Sequence, residues 1–186
     1  MKNIPHKINR IDNYFENIDS EEKAYFLGIM FSDGCIWKDK QGRKSIQLKM
    51  KDYDVIYNFK IAIKSDHKIR PEKDGYRLIF KSKKMFDDLE KLGCVPRKSL
   101  IVKFPVIKKE FMWPFIFGVF DGDGYITKYN KTIYFSICSG SKEFISSINN
   151  FYLSEGIVGS MNDREKINTY SISVGKRDYV IYIYKK

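Results

Sequence analysis

Two apolar segments that end in the same dipeptide set the plan of this chain. FLGIMFSDG runs from Phe26 to Gly34, and IFGVFDGDG runs from Ile116 to Gly124. Their closing pairs, Asp33-Gly34 and Asp123-Gly124, stand ninety positions apart. Each segment reads as a helix. The first spans about Glu21 to Asp33, with Asp19 or Ser20 as N-cap and Glu22 in the first turn. The second spans about Trp113 to Asp123, with Pro114 in its first turn. Both are apolar almost all round, which suits burial between two units. A glycine after a helix commonly closes the last turn in the left-handed conformation, the expectation for Gly34 and Gly124. An aspartate just before it is unusual, because the C-terminal end of a helix disfavours a carboxylate by roughly 0.3–1 kcal/mol. A shared divalent cation, bound by both carboxylates and by helix-end carbonyl oxygens, removes that penalty, and this chemistry suits Mg²⁺ or Ca²⁺.

The helices also carry stripes of small residues. Gly28 lies four positions before Ser32 and Gly118 four before Gly122, so each pair shares one helix face. Glycine inside a helix costs about 1 kcal/mol against alanine and usually has a packing reason. Packed stripe to stripe, the two helices bring Asp33 and Asp123 side by side.

The pattern beyond each helix is repeated too. CIWKDKQGRKSIQLKMK reads as two strands around a turn at Gly42, and YITKYNKTIYFSICS as two strands around Asn130-Lys131. Helical spacing then returns at Val55, Ile56, Phe59 and Ile63, and at Phe144, Ile145, Ile148 and Phe151. A second strand pair comes next in each half: HKIRPEKDGYRLIFK, turning at Asp74-Gly75, and IVGSMNDREKINTYSISVG. Closing helices are expected over Ser82 to Leu92 and about Lys176 to Tyr184. The order is αββαββα twice, an α+β chain. Residues 1–92 form the first half, 93–110 a Pro-bounded linker and 111–186 the second half. Each half should build one antiparallel sheet with one face on helices and the other open to water or a partner.

Charge names the partner class. The 186 residues hold 34 Lys and Arg against 23 Asp and Glu, a formal net charge of +11. A field of that sign favours a polyanion, nucleic acid first. No apolar span of membrane length and no long basic amphipathic helix is visible, so a membrane is not the expected partner. Cys35, Cys94 and Cys138 are odd in number and in no metal-ligand spacing, and fit a reducing compartment. His6 and His67 are the only histidines, too few for a zinc site or a paired-histidine nuclease. The N-terminus lacks the apolar core of a secretion signal. An intracellular location, in a bacterial or phage-infected cytoplasm or an organelle, is expected.

FLGIMFSDG and IFGVFDGDG resemble the two LAGLIDADG motifs of homing endonucleases, and the likeness extends over nearly the whole chain, including the linker GCVPRKS. The second motif fits well; the first departs at Phe31 and Ser32. The resemblance implies two pseudo-symmetric subdomains forming a DNA-binding saddle, with the motif helices at the central interface. It implies that Asp33 and Asp123 are catalytic and hold metal together with the main-chain oxygens of Ser32 and Gly122. The cofactor would be Mg²⁺, with Mn²⁺ able to substitute and Ca²⁺ binding without turnover. Asp121 matches the motif's earlier acid, which is not the essential ligand. Related chains run on past a final helix, so the second half is expected to be short at its C-terminus.

On that resemblance the sheets would enter adjacent major grooves, and strand alternation assigns the residues that face DNA. In the first half Ile36, Ile46 and Leu48 point to the core, and Trp37, Asp39, Gln41, Arg43, Ser45, Gln47 and Lys49 point out. In the second, Ile126, Phe135 and Ile137 go in, and Tyr125, Thr127, Tyr129, Tyr134 and Ser136 go out. The second hairpins add Lys68, Arg70 and Arg77, then Asn162, Arg164, Ser171 and Ser173. Gln47, Lys81 and Lys98 are candidates to orient water or screen charge. The expected activity is a metal-dependent staggered double-strand break in a long DNA target, made by a monomer. The alternatives are an intron RNA maturase and a non-catalytic sequence-specific DNA-binding protein on the same scaffold.

Overall fold

A computed structural model describes residues 9–175. The first half contains α1 (Glu21–Ser32), β1 (Gly34–Lys38), β2 (Lys44–Met50), α2 (Tyr53–Ala62), β3 (Arg70–Glu72), β4 (Gly75–Lys81) and α3 (Lys83–Leu92). The second contains α4 (Met112–Asp123), β5 (Gly124–Tyr129), β6 (Thr132–Ser139), α5 (Lys142–Ser154), β7 (Ser160–Arg164) and β8 (Thr169–Val174). The closing helix expected over about Lys176 to Tyr184 lies outside the described residues. No helix among the described residues is long and apolar enough to cross a membrane.

Local chemistry explains the helix starts. Ser20, Ser82 and Ser141 each accept a backbone N–H from the third residue onward, at 3.2–3.3 Å, and begin α1, α3 and α5. Asp52 caps α2 through the Asp54 N–H. Helix α4 has no side-chain cap; a 3-10 turn over Lys109–Phe111 leads into it, with Pro114 in the first turn.

Each half builds one four-stranded antiparallel sheet in the same order, β1-β2-β4-β3 and β5-β6-β8-β7. The registers match as well: Gly34 stands opposite Leu48, and Gly124 opposite Ile137. The Asn130-Lys131 pair takes positive φ at both positions, 44° and 67°, the primed turn that suits the twist of a two-residue hairpin. Helices α1 and α4 pack on each other between the sheets, and one core of buried side chains runs through both halves, from Phe59 and Phe86 to Phe115, Phe144 and Ile148.

Three expectations are corrected. Gly34 and Gly124 are not left-handed; Gly124 lies at φ −92°, ψ 160°, and both open strands. Glycine is needed there because a Cβ would fall 2.5 Å from the Met30 carbonyl oxygen, or 2.3 Å from that of Phe120. Second, Asp39, Gln41 and Arg43 lie in the β1–β2 loop, not in alternating strand. Asp39 holds the loop, accepting the N–H groups of Gln41 and Arg43 and pairing with the Arg43 guanidinium. Third, Ile126 and Phe135 share the inner face with buried Ile137, as alternation predicts, but Ile126 is 59% exposed and Phe135 only partly buried. Among the described residues helix α5 packs chiefly over β6 and β8. In the first half α3 packs on β2, and Ile36 on the adjacent β1 is buried.

Candidate nuclease site at the helix seam

The seam between α1 and α4 is a backbone contact. A Cβ on Gly28 would lie 2.1 Å from the Phe115 carbonyl oxygen and 2.8 Å from the Val119 nitrogen. One on Gly118 would lie 2.0 Å from the Tyr25 oxygen and 2.9 Å from the Ile29 nitrogen. The stripe continues to the C-terminal ends, where a Cβ on Gly122 would meet Ser32 Oγ at 2.0 Å and Asp33 Oδ2 at 3.0 Å. Ser32 Oγ turns back to donate to the carbonyls of Gly28 and Ile29. The four small residues thus bring the two acids to one place. Asp33 caps α1, its N–H donating to Ile29 O at 3.0 Å, and Asp123 is the last residue of α4.

The flanks of the seam are not alike. On one side Tyr25 donates its hydroxyl to Asp121 Oδ2 at 2.7 Å. The positions ninety residues away from these two, Phe115 and Phe31, meet on the other side as an edge-to-face aromatic pair with centroids 5.2 Å apart. Asp121 therefore faces Tyr25 across the seam.

Among the described residues neither acid has an arginine partner. Burial raises the Asp33 carboxyl above the usual carboxylate range, with Lys98 pulling the other way. Asp123 is pushed up to about 6, first by crowding of protein atoms around it, then by the Asp33 charge, again against Lys98. The Asp123 residue surface is nevertheless open to solvent on one side, and screening there reduces the energetic weight of the shift. A carboxyl whose pKa is higher folded than unfolded costs stability once ionised in both states. That cost is present above about pH 6 and fades as pH falls toward 4. Asp123→Asn should therefore stabilise the metal-free protein at pH 8 by about 1 kcal/mol after screening, or ~2–4 °C in Tm, with the gain vanishing near pH 4. Thermal melts in EDTA across this range measure it; a pH-independent difference would refute the account.

Lys98 comes from the linker, in a 3-10 turn over Lys98–Leu100. It is 8% exposed, and its ammonium donates to the main-chain oxygens of Ser32 at 3.1 Å and Gly34 at 2.5 Å. It thus places a cation at the negative end of α1. Cavities open on both sides of the acids. One, of about 300 Å³, is lined by Asp123, Lys98, Ser32, Cys138 and Ser139; the other, of about 540 Å³, by Asp33, Lys49, Lys51, Asp52, Asp121 and Gly122. Lys51 was not singled out from the sequence; its place directly before the Asp52 cap, at the strand end nearest Asp33, is the signal that could have found it. Gln47 and Lys81 line neither cavity. Gln47 sits opposite Cys35, and Lys81 lies one row further along, opposite Ser45.

Among the described residues no group of three or more His, Cys, Asp or Glu side chains could hold a metal ion. The donor set is two carboxylates with raised pKa values and helix-end carbonyls, which fits a hard, partly hydrated cation that takes further oxygen ligands from substrate phosphate. The Ser32 oxygen already accepts from Lys98, so the two helix ends are unequal as ligand sources.

The register places the remaining candidates. Trp37, Ser45, Gln47, Lys49, Arg77 and Arg70 share the outer face of the first sheet, with Lys68 exposed just before β3. Tyr125, Thr127, Tyr129, Tyr134, Ser136, Ser171, Ser173, Asn162 and Arg164 share that of the second. Ser45, Ser136 and Ser171 lie on these faces but are buried among larger neighbours, and Ser136 is within 2.8 Å of the Ser173 hydroxyl.

Comparison with known proteins agrees with this architecture. Residues 110–185 match the LAGLIDADG-like domain model. Over 132 residues, 67% of this chain, the sequence is 33% identical to a probable translation initiation factor IF-2 of Methanocaldococcus jannaschii, and the chain spans only 11% of that protein. The homing endonuclease I-DmoI in complex with DNA and Mn superposes with a TM-score of 0.63, at 18% identity, over 94% of this chain and 96% of the other. The meganuclease I-SmaMI bound to uncleaveable DNA gives 0.59 at 10% identity, over 87% and 82%. The N-terminal LAGLIDADG domain of DUF199/WhiA gives 0.58 at 14%, over 93% and 85%. The chain carries a LAGLIDADG-like domain in its second half and, over nearly its whole described length, has the fold of the LAGLIDADG homing endonucleases.

Proposed function

We propose that this protein is a site-specific DNA endonuclease that makes a metal-dependent, staggered double-strand break. The observation that carries the reading is the meeting of Asp33 and Asp123 where two backbone-packed helices end between two open sheet faces. The sheets would lie in adjacent major grooves, and the acids would face the two strands across the intervening minor groove. Asp33 and Asp123, with the Ser32 and Gly122 carbonyls, would hold Mg²⁺, which when bound activates water and stabilises the leaving oxygen. Mn²⁺ would substitute for it, and Ca²⁺ would bind without turnover; the solved relative I-DmoI was obtained with DNA and Mn and with DNA and Ca. Lys98 keeps the α1 end in place and offsets the charge of both acids. Lys49 and Lys51 present cations beside Asp33, toward the approaching phosphates. Two motifs in one chain make the working unit a monomer.

The test is cleavage of a randomised duplex library by purified protein, with Mg²⁺ or EDTA, followed by sequencing of the ends. Staggered, metal-dependent cuts at one long sequence are expected, and Asp33→Asn with Asp123→Asn should abolish them. Tight selection of one sequence without cutting would replace this reading with a DNA-binding protein. Selection of neither, with binding to structured intron RNA, would replace it with a maturase.

A further inference from the structure

The two sheets share order and register, so their outer faces can be compared row by row. Across β2, β4 and β3 of the first sheet, Lys49, Arg77 and Arg70 stand directly opposite one another. The matching row of the second sheet, across β6, β8 and β7, is Cys138, Ser171 and Asn162. Lys81 adds a fourth cation to the first face, whereas Arg164 is the only cation on the second among the described strand residues. Apart from Cys138, Asn162 and Arg164, the second face carries serine, threonine and tyrosine side chains.

Like charges set opposite across a sheet destabilise it. Among the described strand residues Glu72 is the carboxylate on the same face, pairing with Lys49 at 3.2 Å and Arg77 at 2.8 Å, while Asp33, Asp52, Asp74 and Asp121 lie at the cavity beyond Lys49. Three cations against one carboxylate leave a surplus that a polyanion satisfies. The row lies at the catalytic end of the sheet, since Lys49 lines the same cavity as Asp33. Hydroxyl and amide groups gain nothing from counterion release, but they hydrogen-bond to base edges.

We infer that the halves divide the binding of DNA unequally: the first sheet grips phosphates through the Lys49–Arg77–Arg70 row, and the second reads bases through neutral polar groups. This rests on the endonuclease reading and specifies its substrate as a site with one salt-sensitive and one salt-tolerant half. The full chain is titrated against a mixed-sequence duplex long enough to span both sheets, between roughly 50 and 200 mM NaCl. Each phosphate contact contributes about 0.9 to the log–log salt slope. Combined Lys49→Gln, Arg70→Gln and Arg77→Gln should lower the slope by about 2–3. Arg70→Gln alone, on the exposed edge strand, should lower it by about 1 and keeps the test decisive if the triple variant does not fold. Tyr125→Phe with Thr127→Val should leave the slope unchanged and relax base preference over one half of the sequences selected from a library. A slope that falls equally in both sets, or in neither, overturns the division of labour while leaving DNA binding intact. Failure of the unaltered protein to bind any duplex overturns the endonuclease reading itself.

Discussion

Alanine at Gly118 is expected to destabilise the protein by about 3 kcal/mol or more, although alanine is the better helix former. In an exposed helix the substitution would gain about 1 kcal/mol. Here the new methyl would stand 2.0 Å from the Tyr25 carbonyl oxygen and 2.9 Å from the Ile29 nitrogen, both backbone atoms. Side-chain overpacking alone costs typically 1–3 kcal/mol, and backbone cannot swing aside as a side chain can. The two helices must separate, which opens the core that both halves share. At roughly 2–4 °C per kcal/mol for a chain of this size, Tm should fall by ~6–12 °C. Gly28→Ala, blocked by the Phe115 oxygen at 2.1 Å, should behave alike. Because separation also draws the acids apart, cleavage should fall in the fraction that stays folded. Urea or thermal unfolding reads the result, and a rise in Tm would refute the close-packed seam.

The second large effect belongs to the acids. On the proposed function, Asp33→Asn should leave one DNA strand uncut and Asp123→Asn the other. Loss of a metal-binding carboxylate removes several kcal/mol of transition-state stabilisation, so about 4 kcal/mol, or roughly a thousandfold in rate, is expected on the affected strand. Strand-specific end labels on a selected target distinguish a nick from a break. Equal loss on both strands from either variant would mean that the acids act as one centre rather than one per strand.

Much of this arrangement is legible in the sequence because helix, cap and glycine stripe are local patterns. The run from Phe26 to Gly34 carries its own burial, spacing and ending, and the repeat ninety positions later supplies the partner. The strands were harder where alternation meets a loop. Gly42 marks a turn, but nothing local shows that Asp39 closes it through the N–H groups of Gln41 and Arg43. Ile126 lies on the inner face that alternation gives, yet is exposed, because alternation does not say whether a helix covers that face. Lys98 was named among the candidates, but its two carbonyl partners depend on how the linker returns to the end of α1, which no spacing encodes. The Tyr25–Asp121 pair is not legible in the sequence, because a repeat aligns like positions, whereas a twofold seam sets unlike positions face to face.

That pair has a consequence for how such a chain can arise and be divided. Were the second half to assemble with another copy of itself, Asp121 would meet Phe115 and gain no hydroxyl donor. Were the first half to do so, Tyr25 would meet Phe31 and lose its acceptor. Only the mixed assembly satisfies both flanks, with the Tyr25 hydroxyl on Asp121 and Phe31 against Phe115. The halves share one sheet order, yet each is a lock that its own twin would not open.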